Sequence, residues 1–144
     1  MTMKRILLPI RDPEVAPAAL QLVADAARSS GATVRLVHVA PIPHERVTHD
    51  GRVVAYVSQE MERVERERHR ALQSAEAVLD GVPVETVVRF GSPVREILIE
   101  ADAFGADVIV VPARRRRWAP QWLRRVAGAL LRKSPVPVLV LASR

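Results

Sequence analysis

The sequence predicts a three-layer α/β fold, an open parallel five-stranded sheet with helices on both faces. Short, continuous, β-rich apolar runs recur along the chain, as at Ile6–Ile10, Val108–Val111 and Val138–Leu141, which is the pattern of strands buried on both faces. Between such runs lie stretches with helical apolar spacing, long enough to cross over a sheet. Turn and cap residues separate the two kinds of segment, and the alternation gives right-handed crossovers between parallel strands. At 144 residues and 49% hydrophobic content, the chain fits one domain, 1–144, that can bury a core.

The first strand, Ile6–Ile10, is finishing at Pro9, which has no N–H for the ladder. Asp12 then reads as a helix N-cap, Pro13 as the first helical residue and Glu14 as favourable to the dipole. This helix runs to about Ser29 and stops at Gly31, with Ala16, Ala19, Leu20, Val23, Ala26 and Ala27 as its apolar stripe. Thr33–Val39 is the second strand. Residues 40–57 carry Pro41, Pro43, His44, His49, Asp50 and Gly51, turn signals that predict a loop. Ser58–Leu79 is a long charged helix whose thin stripe of Met61, Val64, Leu72, Ala75 and Leu79 packs on one side only. Gly81 ends it, Val84–Phe90 forms a strand, and Gly91-Ser92-Pro93 turns into a helix over Pro93–Phe104 with Ser92 as N-cap. Val108–Val111, a basic loop, an amphipathic helix and the strand Val138–Leu141 complete five strands and four helices.

The charge is unevenly placed. The formal net charge is +6, yet Arg114–Lys133 holds eight basic residues and no acidic one, leaving 14 basic and 16 acidic side chains elsewhere. The whole excess therefore belongs to this segment. In open α/β sheets ligands sit beyond the carboxyl ends of the strands, where the strand order reverses, and the loop after Val111 falls at that edge. A sequence pI of about 11.1 raises nucleic acid, anionic lipid and phosphorylated metabolites as partners. An aromatic content of 3% argues against stacking platforms for single strands. The lack of cysteine excludes a disulfide framework and any Cys-based metal or thiol site. Met1–Arg5 precedes an apolar run too short for a signal peptide or a membrane span, so a cytoplasmic protein is expected.

KRILLPI at 4–10 ahead of a helix, LVHV at 36–39, FGSPVREIL at 90–98, ADVIVV at 106–111 and KSPVPVLVL at 133–141 follow one another in an order that resembles the universal stress protein family. The resemblance covers nearly the whole chain. It implies a Rossmann-like, adenine nucleotide alpha hydrolase-like fold with strand order 3-2-1-4-5. It also implies a homodimer in which the last strands, Pro137, Val138, Leu139, Val140, Leu141 and Ala142, pair across a two-fold axis. An uncharged edge strand is independently a pairing surface. Many members of that family bind ATP with an Asp after the first strand, then a Gly-x-x-Gly, nine residues and a Gly-Ser/Thr after the fourth. The glycines let backbone N–H groups approach the phosphates, and the carboxylate holds a ribose hydroxyl. This sequence departs from the pattern: the Asp falls on Arg11, the first Gly on Pro112, the next Ser/Thr on Ala113, and the second Gly within Arg114–Arg116. The closing Gly-Ser falls on Arg124-Arg125, with the segment one residue shorter. Proline removes a donor and arginine does not readily adopt a glycine's left-handed backbone. The comparison with the family's pattern thus implies a degenerate nucleotide site, no ordinary ATP binding and no cofactor.

Three readings of the arginines stay open. In the first they are a solvated or partner-facing surface of a non-enzymatic, dimeric stress-response domain that works through a protein partner. In the second they rebuild an anion site for a phosphorylated small molecule, with Pro9, Arg11, Asp12, Val39, Pro112, Arg114, Arg115, Arg116, Arg117, Arg124 and Arg125 as candidate contacts. Like charges within a Debye length of roughly 8 Å repel unless an anion or carboxylates sit among them. In the third the basic face, with Trp118, Trp122 and Leu123 interleaved, takes a polyanion, either nucleic acid or an anionic membrane. Catalysis finds little support. His38 reads as a satisfied core or rim histidine, His44, His49 and His69 are scattered with no metal-ligand spacing, and Asp12 and Ser92 read as caps. The run Glu60–Arg70 is a solvated helix face, and no Walker or dinucleotide motif is present.

Overall fold

The computed structural model describes residues 3–11, 17–114 and 121–143. In chain order the elements are β1 (Arg5–Pro9), α1 (Pro17–Ser30), β2 (Thr33–Ala40), β3 (Arg46–Val47), β4 (Val53–Ala55), α2 (Val57–Val78), β5 (Val84–Phe90), α3 (Pro93–Phe104), β6 (Val108–Arg114), α4 (Gln121–Lys133) and β7 (Val138–Ser143). The five longer strands form one parallel sheet in the order β5-β2-β1-β6-β7. Numbered among themselves they read 3-2-1-4-5, as the family resemblance implies.

Strand alternation sorts the core into two layers. Ile6, Leu8, Val34, Leu36, Val108 and Val110 face α1 and α2, meeting Leu20, Val23, Leu72 and Leu79. Leu7, Val37, Ile109 and Val111 face the other way, meeting Ile97, Ala101 and Phe104 of α3 and Val126 and Leu130 of α4. Leu7, Leu8, Leu36, Ile109 and Leu130 are fully buried, and each such side chain contributes about 2 kcal/mol of transfer free energy. The alanines of α1 (Ala19, Ala24 and Ala27, all buried) let that helix lie close on the sheet. Gly31 ends it in the left-handed conformation, φ 69°, which costs a residue without Cβ little. The expected helix start at Asp12, Pro13 and Glu14 lies outside the described residues.

Three details differ from the sequence reading. Residues 40–57 are not a plain loop but contain an antiparallel hairpin, with Arg46 opposite Ala55 and Val47 opposite Val53. Its strands of two and three residues are too short for alternation to register. The Thr48 hydroxyl accepts a hydrogen bond from the Arg52 N–H at 3.1 Å and donates to Asp50, and Gly51 supplies a left-handed turn residue at φ 87°. Second, the fourth long strand does not end at Val111: Pro112, Ala113 and Arg114 continue it, paired with Leu141, Ala142 and Ser143. Third, Ser92 occupies the N-cap position of α3 but makes no side-chain cap. Its carbonyl accepts the first intrahelical bond, from the Glu96 N–H at 3.0 Å.

Candidate functional site

The strand order reverses between β1 and β6, so the ligand crevice of the fold opens at their carboxyl ends. Two prolines shape it. In a parallel ladder the N–H and C=O of one residue point to the same neighbour, and successive residues alternate. Thr33 N–H bonds the Lys4 carbonyl and Ile10 N–H bonds the Val37 carbonyl, each at 2.8 Å, so even residues of β1 serve β2 and odd ones serve β6. Ile109 N–H bonds the Pro137 carbonyl at 2.9 Å, so odd residues of β6 serve β7 and even ones serve β1. The β1–β6 register pairs Ile6 with Val108 and Leu7 with Ile109, and stops there. The next rung needs a Pro9 N–H for the Val110 carbonyl, and the one after needs a Pro112 N–H for the Pro9 carbonyl. Neither donor exists. The sheet opens at this point, and the floor of the gap presents carbonyl oxygens that have lost their ladder donors.

Pro9 and Pro112 thus lie on the two strands just past the last paired rung, and Arg11 stands exposed just beyond β1. Val39 belongs to the α3 side of β2. The Arg114 backbone ends β6, while Asp12, Arg115, Arg116, Arg117 and Trp118 lie outside the described residues. Arg124 and Arg125 are exposed near the start of α4. A crossover helix runs back from the carboxyl edge, so Arg132 and Lys133 at its far end lie about 12 Å away along the axis and do not converge on the crevice.

His38 sits beside this edge on the α2 side of β2. It is 5% exposed, and its Nδ1 lies 2.8 Å from the Ile10 carbonyl. A carbonyl only accepts, so Nδ1 carries the proton and Nε2 of the neutral ring is a bare acceptor. Nε2 has no hydrogen-bond partner among the described residues, and neither does the buried Nε of Arg68. The expected satisfied histidine is buried but satisfied at one nitrogen only. Burial, and after it the positive charges of Arg68 and Arg11, hold the imidazole below its ordinary range, against the opposing effect of the Ile10 hydrogen bond. The sign follows by linkage. The unfolded chain binds a proton near pH 6.5 and the folded one resists it, so stability is intact above that pH and declines as pH falls toward the depressed folded value. Urea unfolding at pH 7 and pH 5 should show this loss, and His38→Gln should reduce it; an unchanged difference in the variant excludes His38 as its source.

Sequence reasoning missed the largest polar cluster. Glu100 of α3, 4% exposed, receives Arg35 Nη1 and Arg89 Nη1 at 2.8 Å each. Arg35 also reaches Glu85 at 2.5 Å and stacks 4.2 Å from the Phe104 ring centroid, and Arg89 reaches Glu96 at 2.8 Å. The cluster clamps edge strand β5 and β2 to α3. A signal existed: alternation in TVRLVHV puts Arg35 on the face of Val37, where a charge needs a partner. A second clamp, from Arg46 and Arg63 to the buried Glu60 at 3.5 and 3.0 Å, pins the β3–β4 hairpin to α2. At the opposite, amino edge, Asp107 accepts from the Lys4 and Arg5 N–H groups at 2.8 and 2.9 Å, which pulls its carboxyl below the usual range.

Fold and edge together define a doubly wound, Rossmann-like α/β protein. Within that class the chain belongs to the universal stress protein family, whose family model matches residues 2–142. Solved structures share the fold. A universal stress protein family member from Burkholderia pseudomallei is 24% identical, with a TM-score of 0.68 over 97% of this chain and 96% of that one. The hypothetical protein MJ0577 is 21% identical, with a TM-score of 0.75 over 100% and 99%. A universal stress protein in complex with cAMP is 17% identical, with a TM-score of 0.65 over 99% and 98%. Comparison with curated proteins gave no match. Among the described residues, no helix is long and apolar enough to cross a membrane, and no group of three or more His, Cys, Asp or Glu is placed to hold a metal ion.

Proposed function

We propose that residues 1–144 form one non-enzymatic stress-response domain of the cytoplasm, which dimerises through β7 and engages a protein partner instead of holding a nucleotide as the neighbours solved with cAMP, dAMP and AMP do. The pair Pro9 and Pro112 is the observation that supports this reading most. Phosphate is cradled by backbone N–H groups, whereas this gap offers carbonyl oxygens and two prolines with no donor to give. Arg11 stands where the family's ribose-holding carboxylate falls, and a guanidinium cannot accept a hydroxyl proton. At the sheet edge, Leu139 is 51% and Val140 40% exposed, an apolar edge suited to a second copy of the strand.

Equilibrium dialysis tests the ligand half of the proposal. No retention of ATP-Mg, AMP or cAMP is expected at physiological salt, and retention of any one of them with a micromolar dissociation constant contradicts it. A second reading, in which guanidinium side chains grip phosphate in place of backbone amides, draws support from the relative in complex with cAMP and from Arg11 at the crevice mouth. It predicts that polyphosphate and nucleotides are retained alike and that Arg11→Ala weakens both.

A further inference from the structure

We propose that the exposed face of α4 docks onto the phosphate backbone of duplex nucleic acid, independently of base sequence and of the crevice between β1 and β6. Gln121–Lys133 contains no acidic residue, and Arg124, Arg125, Arg132 and Lys133 are all exposed. Elsewhere six arginines, Arg28, Arg35, Arg46, Arg52, Arg63 and Arg89, each meet a carboxylate. Among the described residues none of the four cations of α4 does. Four unpaired positive charges on one helix repel one another and stand ready for an external polyanion.

Their spacing favours a duplex. Arg124-Arg125 and Arg132-Lys133 form two pairs eight residues apart, about 12 Å along the helix axis, close to the width of a major groove of about 12 Å. One pair can meet the phosphates of each strand across it. Gly128 lies midway, at i+4 from Arg124 and i+3 from Arg125, and the Arg132 Nη1 lies 3.5 Å from where its Cβ would stand. The missing Cβ leaves room for the Arg132 guanidinium to lie back along the helix toward Arg124 and Arg125. A lipid surface fits less well, because α4 already spends its apolar side on the core through Val126, Ala127, Ala129 and Leu130. Among its described side chains Leu131 is the one large apolar group exposed, too little to insert between acyl chains. With 3% aromatic residues in the chain, stacking on single strands fits less well too.

Fluorescence anisotropy of the full chain with a short labelled duplex DNA tests the proposal. Binding should weaken about 100-fold between about 50 and 200 mM salt, the consequence of roughly four phosphate contacts at a logarithmic slope near −0.9 each; two helices of a dimer would double the slope. The double variant Arg124→Glu/Arg132→Glu should lose binding at least tenfold while melting at the wild-type temperature. The charge-matched reversal Arg66→Glu/Arg70→Glu, at two exposed positions of α2, should lose far less. Equal losses in the two variants would mean diffuse attraction by net charge, and overturn the proposal. A salt slope shallower than about −3, or retention by vesicles of phosphatidylcholine and phosphatidylserine without duplex binding, overturns it as well.

Discussion

Glu100→Ala should lower the free energy of unfolding by about 3 kcal/mol and the melting temperature by about 10 °C. The carboxylate is buried and holds two guanidiniums at 2.8 Å. Removing it takes one of two carboxylate partners from each guanidinium, leaving Arg35 with Glu85 and Arg89 with Glu96, and breaking a buried pair from one side destabilises by about 3–5 kcal/mol. The lower figure applies because Arg35 and Arg89 keep 21% and 28% of their side-chain surface and recover part of their hydration. Glu96→Ala, which removes one partner from Arg89 alone, should cost only about 1 kcal/mol. Guanidinium unfolding of the two variants gives the comparison. A loss below about 1 kcal/mol for Glu100→Ala would mean that the cluster is solvated and that packing alone holds α3 to β2 and β5.

Val140→Pro should weaken the proposed dimer about 30-fold while leaving the monomer folded. Ile109 N–H bonds the Pro137 carbonyl, so Pro137, Leu139 and Leu141 point to β6 and the N–H groups of Val138, Val140 and Ala142 point to the open edge. Proline at 140 therefore deletes an outward donor and spares the β6–β7 ladder. Two-fold symmetry removes the bond twice, and two hydrogen bonds at about 1 kcal/mol each amount to a factor near 30. Sedimentation equilibrium reads it directly. Leu139→Pro is the contrast, since it cuts the inner ladder and should destabilise the fold itself. A Val140→Pro protein that dimerises as tightly as wild type places the interface elsewhere.

The sheet was legible because its strands are buried on both faces: Ile6–Ile10 and Val108–Val111 are continuous apolar runs that no surface element would carry. The hairpin was not, since Arg46–Val47 and Val53–Ala55 are shorter than one period of any usable pattern. The extension of β6 was missed because the continuous apolar run stops at Val111. Pro112 removes a donor only on the side its nitrogen faces, here toward β1, where the ladder has already stopped at Leu7 and Ile109. On the β7 side pairing continues to Arg114. The basic segment was obvious as composition, but its direction was not: the crossover geometry spreads Arg124-Arg125 and Arg132-Lys133 along α4 instead of gathering them at the crevice. The partners of Glu100 lie in two separate strands, and only the fold brings Arg35 and Arg89 to one carboxylate.

Thermal melting with ATP-Mg, AMP, cAMP, inorganic polyphosphate or sulfate, each at low and at physiological salt, tests most directly whether the proline-floored crevice has left nucleotide chemistry behind. The expected result is no adenine-specific shift: polyanions raise the melting temperature only at low salt and in order of their charge. A ligand that binds the folded state alone, at one hundred times its dissociation constant, stabilises it by about 2.7 kcal/mol, a shift of several degrees. A rise of that size with AMP or cAMP at physiological salt, unmatched by sulfate or polyphosphate, would contradict the proposed loss of nucleotide binding.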